Sequence, residues 1–101
     1  MITLNKLAVK CYRTAIKRGK IGKHSSPKAI ITAISKEWRE LCEATEYRSN
    51  HIPKYSECEE EAADIIIASL TYLQRIGCRD IEQHLRAKDV INKIEHFHRT
   101  S

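Results

Sequence analysis

The feature that most narrows what this chain can fold into is a repeated anomaly: two amphipathic segments each carry a carboxylate inside their apolar stripe. At about 100° per residue, Ile30, Ile34, Leu41 and Ala44 fall on one helical face, with Glu37 inside that face and Glu40 at its edge. Cys58, Ile65, Ala68, Tyr72 and Ile76 define a second face, with Glu61 inside it and Asp64 at its border. A carboxylate aimed into an apolar interface is costly unless it is neutralised, paired or bound to a cation. The members of each pair are three residues apart, E-x-x-E and E-x-x-D, so they share a helix face and can converge on one point. Acids at a helix N-terminus also complement the macrodipole, and Glu37, Glu40 and Glu43 have Lys36 and Arg39 nearby for pairing on a wet surface. The matched inward placement of both pairs weighs against those readings.

The rest of the chain reads as helices that would bring the two pairs together. The first is expected over residues 4–18, with Leu4, Leu7, Ala8, Cys11, Ala15 and Ile16 at helical spacing and a stop near Gly19. A basic connector follows. Ser26 and Pro27 supply a cap and a first-turn proline for a second helix reaching about Glu46 or Tyr47. Residues 48–55 read as a loop. Ser56 with Glu59 makes a capping box for a third helix that ends at Gly77, and Asp80 with Gln83 opens a fourth that reaches about His96. No segment alternates with strand period. The prediction is a single all-α domain over residues 1–101, a four-helix bundle whose short connections make neighbours antiparallel. Glu40, about seven residues before the end of its helix, and Asp64, about seven into the next, then lie at one height.

Four carboxylates in one pocket raise one another's pKa unless a cation joins them. All-oxygen donors suit Mg²⁺, with Mn²⁺ as the alternative, and magnesium keeps waters and takes up phosphate oxygens. The expectation is phosphate chemistry. Charge agrees: the net +5 is concentrated in the first third, at Lys10, Arg13, Lys17, Arg18, Lys20, Lys23 and Lys28. The four cysteines stand singly, without ligand or disulfide spacing, so they read as small reduced hydrophobes of a cytoplasmic protein. The N-terminal segment lacks a signal peptide's apolar run, and no stretch is apolar enough to span a membrane.

The acidic pattern also resembles a known family. EWRELCEA followed by ECEEEAADIII is similar to the E-x-x-E…E-x-x-D signature of MazG-like and all-α dUTPase-type pyrophosphohydrolases, here with twenty residues between Glu40 and Glu61. The likeness covers about residues 26–94. It implies hydrolysis of nucleoside triphosphates to monophosphate and pyrophosphate with Mg²⁺, in a dimer or tetramer that clears unwanted nucleotides. It makes Glu37, Glu40, Glu61 and Asp64 metal ligands, with Glu40 or Glu61 activating water. Lys88 and Asn92 match a lysine and asparagine often found in the family's last helix and become candidate triphosphate contacts. Lys20 and Lys23 on the connector are candidate holders of the phosphate tail. Trp38 is a candidate base-stacking residue, with a core position as the competing reading. The chain departs from the family's usual pattern at Lys36, at the bulky pair Trp38 and Arg39, and at Glu95.

The third helix is apolar on a second side, where Ile66, Leu70 and Leu73 lie opposite Glu61. A partner subunit is the simplest cover, so a homodimer is expected. Two other functions compete: a basic helical protein that binds nucleic acid or regulates without catalysis, and a family member that binds nucleotide without turnover. The first gives no reason for Glu37 and Glu61 to face inward, so nucleic acid is disfavoured as a partner.

Overall fold

A computed structural model describes residues 2–88. Four helices follow one another, α1 (Leu4–Lys17), α2 (Pro27–Glu43), α3 (Glu57–Arg75) and α4 (Ile81–Ala87). Among the described residues the only strand-like pairing is an isolated bridge between Arg48 and Ser56. The all-helical class is as the sequence predicts. The extension of the fourth helix to His96 lies outside the described residues.

The helix ends follow the local chemistry. The Thr3 and Ser26 hydroxyls accept from the Lys6 and Ala29 amides, with Pro27 in the first turn of α2. Ser56 and Glu59 form a reciprocal capping box, and Asp80 accepts from the Gln83 amide. α1 and α3 both end in Schellman turns through glycines with φ of +73° at Gly19 and +84° at Gly77. In the first turn the Lys20 amide reaches back to Ala15 O at 2.9 Å, and in the second the Cys78 amide reaches Leu73 O at 2.9 Å.

The second helix ends about three residues earlier than its pattern suggests, because Ala44 turns extended, with ψ of 151°. The residues after it have another use. Tyr47 O and Thr45 O accept from the Glu57 and Cys58 amides, at 2.8 and 3.2 Å, satisfying donors that the first turn of α3 leaves unpaired.

α3 is the central element, packed against α2 on one side and α1 on the other, while α4 packs on α1. Its two hydrogen-bonded ends fix the direction of the α2–α3 pair. Cys58 N meets Thr45 O at one end, and Arg75 Nε donates to Ser25 O at 2.8 Å at the other, so the helices run antiparallel. The main core cluster is Ala8, Cys11, Leu70 and Ile81, with Leu7, Leu73, Cys78 and Leu85 packed against it. Leu70 and Leu73 are therefore covered within the chain by α1 and α4, which corrects the expectation that a partner subunit covers them. α1 is simply the second neighbour of a helix sandwiched on two sides.

A clasp that the sequence pattern does not announce joins α1 to α4. Asn5 Oδ1 accepts from the Ile81 amide at 2.7 Å, Asn5 Nδ2 donates to Asp80 Oδ1 at 3.1 Å, and the Leu4 amide donates to Glu82 Oε1 at 2.9 Å. Each helix start thus satisfies free donors of the other. The Gln83 amide of the α4 cap first, and then Asn5 of the clasp, hold the Asp80 carboxyl below its ordinary pKa.

Candidate active site

The antiparallel pairing of α2 and α3 brings the two acidic pairs together. Carboxylate oxygens of Glu37, Glu61 and Asp64 all lie within 4.8 Å of one another. Glu40 stands outside that triad but lines the same cavity and lies in hydrogen-bonding range of both Glu37 and Glu61. One oxygen each of Glu37 and Glu61 (Oε2) is shut off from solvent and has no hydrogen-bond partner among the described residues. A buried acceptor without a donor is costly, and a divalent cation is one group that would satisfy both at once.

The electrostatics carry the strain of this gathering. Burial pushes the Glu61 carboxyl up to about 7, helped by a hydrogen bond with Glu40 that requires a proton and by the charges of Glu40, Asp64 and Glu37. Glu37 is raised by burial first and then by Glu40 and Asp64, while Lys20 opposes the shift. Asp64 is raised by burial and by Glu60, with Lys20 and His51 pulling the other way. All three shifts point to a cluster that wants either protons or a cation. The donor set, oxygen throughout, fits a hard ion such as Mg²⁺.

These groups line a cavity of about 930 Å³, whose lining also includes the cations Arg18, Lys20 and Lys36. Arg18 and Lys20 arrive from α1: Arg18 is its C-cap, and the Gly19 turn carries Lys20 out of the helix. Carboxylates that could take a divalent ion thus share one cavity with side chains able to pair with anionic oxygens.

Of the remaining residues singled out in the sequence, Lys23 and Lys88 are exposed and absent from this lining. Trp38 is 61% exposed and also outside the lining, so it occupies neither the core nor the cavity. Asn92 lies outside the described residues. Sequence reasoning passed over Arg18 as a pocket residue, and it missed Ser49, His51, Ile52, Tyr55 and Glu60 as parts of the site. Glu60 carried one available signal, since it sits four residues before Asp64 on the same face. The loop residues carried none, because a connector has no periodicity to read.

Around Glu60 the loop is built into the site. Ser49, 3% exposed, donates its hydroxyl hydrogen to Glu60 Oε2 and accepts from the His51 and Ile52 amides. His51 Nδ1 lies 3.3 Å from Glu60 Oε1. The four cysteines are free, and burial pushes the Cys11 thiol up, as expected for a core residue rather than a reactive one. Among the described residues no helix is long and apolar enough to cross a membrane.

Fold and site together define an all-helical chain with a mainly acidic cavity that Arg18, Lys20 and Lys36 also line. No protein-family model, curated protein or solved structure matches the chain.

Proposed function

We propose that this protein hydrolyses nucleoside triphosphates to the monophosphate and pyrophosphate, with Mg²⁺ held by Glu37, Glu61 and Asp64. The support is the meeting of those three carboxylates within 4.8 Å in a cavity that Arg18, Lys20 and Lys36 also line. The resemblance of Glu37-x-x-Glu40 and Glu61-x-x-Asp64 to the MazG-like signature points the same way.

When bound, Mg²⁺ supplies neutralisation of charge building on the phosphate oxygens and a more acidic bound water. The chain's own groups do the rest. Arg18 and Lys20 hold the anionic tail of the substrate and keep it in line. Of the two candidate bases, Glu40 is the one left outside the triad. It therefore takes the role of orienting and deprotonating the attacking water, with Glu61 as a ligand. The water oxygen bonds to the α phosphorus, the α–β phosphoanhydride bond breaks, and pyrophosphate leaves with the electron pair.

The test is a panel of nucleoside and deoxynucleoside triphosphates, with and without Mg²⁺, scored for monophosphate and pyrophosphate. Glu40→Gln is expected to lower kcat by about a hundredfold or more, the usual scale for removing a general base, while retaining Mg²⁺ binding. Glu61→Gln is expected to lose both. Absence of turnover on every substrate, or turnover indifferent to both substitutions, rejects the proposal.

The same reading includes a homodimer. Its support is no longer Leu70 and Leu73 but what α2 and α3 leave uncovered: Ile31 and Trp38, two turns apart on one stripe, and Ile66, 59% exposed.

A further inference from the structure

Part of the cavity lining is neither acidic nor cationic. The connector between α2 and α3 contributes Ile52 and Tyr55 to it, each 46% exposed, next to His51, which faces Glu60. A short loop with two large apolar side chains would ordinarily fold them onto the core. This one is held by hydrogen bonds to its own backbone carbonyls. The Ser49 amide donates to Tyr55 O at 2.9 Å, the Tyr55 amide to Ile52 O at 2.9 Å, and Arg48 Nη1 to Lys54 O at 3.0 Å. The buried Ser49 hydroxyl ties the inside of the loop to Glu60 on α3. A preformed apolar ledge beside a charged site is the usual anatomy of a small-molecule pocket, and preforming it removes the ordering cost from binding.

We infer that this ledge seats the heterocyclic base of a nucleoside triphosphate, stacked on the Tyr55 ring beside Ile52. The inference rests on the proposed function and adds which segment reads the substrate. With the phosphates engaged by the carboxylate cluster and by Arg18 and Lys20, the sugar and the base remain to be placed, and the base is the flat, weakly polar end. An aromatic ring face in the same cavity suits it, because every base has a π face to stack. The cavity's volume, about 930 Å³, is of the size that takes a ligand of this class. A smaller cleft between α1 and α3, about 320 Å³, shares Arg18, Lys20 and Asp64. Its apolar walls are Leu7, Cys11, Ala15 and Ile67, with no aromatic ring, so it is the weaker seat.

The experiment is calorimetric binding to the full chain in Mg²⁺, using α,β-imido analogues of the four common deoxynucleoside triphosphates, with inorganic tripolyphosphate as the base-less probe. The wild type is expected to bind at least one analogue about tenfold or more tightly than tripolyphosphate, the scale of one stacked base. Tyr55→Ala is expected to erase that preference while leaving tripolyphosphate affinity unchanged, and Tyr55→Phe to keep it. The loop bonds made by Tyr55 are backbone bonds, so they survive both changes. Equal binding of analogue and tripolyphosphate in the wild type overturns the ledge, as does a preference that survives Tyr55→Ala combined with Ile52→Ser. In those cases Glu61-dependent tripolyphosphate binding leaves the proposed function standing. If neither probe binds, the proposed function fails and the ledge fails with it.

Discussion

Glu61 sits among three other acids with one oxygen that no donor among the described residues reaches, and burial pushes its carboxyl up to about 7. Glu37 and Asp64 shift in the same direction. The consequence for stability has a definite sign. A carboxyl whose folded pKa lies above its ordinary value of 4.5 binds its proton more tightly in the folded state. The stability it lends is complete below that ordinary value and is lost as pH climbs through the folded pKa. With a chelator present, the thermal midpoint is therefore expected to fall between pH 5 and pH 8. Mg²⁺ is expected to restore it more at pH 8 than at pH 5, because binding to the folded state adds stability and needs the carboxylates ionised. Glu61→Gln should flatten the slope. A midpoint that stays level or rises over this range in the wild type, or a Glu61→Gln slope equal to the wild-type one, contradicts the picture of a mutually repelling cluster.

Among the elements, the end of α1 decides whether the cations reach the acids. Its Schellman turn needs a residue in the left-handed region, and Gly19 has φ of +73° with nothing within 4 Å of where a Cβ would stand. Gly19→Ala therefore meets no clash, and its cost is the backbone's alone, about 1 kcal/mol. On a domain of this size that lowers the thermal midpoint by about 5 °C. Because Lys20 follows directly, KM for a triphosphate is expected to rise in the same variant. Gly19→Asn, which tolerates the left-handed region better, should recover most of both losses. If Gly19→Ala changes the midpoint but leaves KM untouched, the turn stabilises α1 without aiming Lys20. The α2–α3 connector shows the complementary strategy: it lacks regular structure, yet it saturates the start of α3 and anchors itself through the buried Ser49.

At the scale of the whole molecule the chain is thinly covered. Among the described residues only Ala8, Cys11, Ile30, Leu70 and Ile81 are buried hydrophobics, while Ile31, Trp38 and Ile66 stay exposed on α2 and α3. A chain of this length has little core to spare, and joining a second copy through these faces is a direct way to add buried area. Sedimentation at micromolar concentration is expected to give a dimer, and Ile66→Glu, which puts a charge where the interface is proposed, to give a monomer. A wild-type monomer at that concentration defeats the proposal.

The sequence by itself determined what local chemistry controls. The four helices, their serine and aspartate caps and the two glycine stops follow from short-range patterns, because each is decided within one or two turns of chain. The pairing of Glu37 with Glu61 and Asp64 was legible too, since two periodic stripes on adjacent antiparallel helices leave few ways to meet. Tertiary structure alone decided the rest. The covering of Leu70 and Leu73 by α1 and α4, the clasp of Asn5 on α4 and the entry of Tyr55 and Ile52 into the cavity all depend on contacts between residues far apart in the chain. Periodicity reports which face of a helix is apolar, but not which neighbour lies against it, and a loop has no period to report at all.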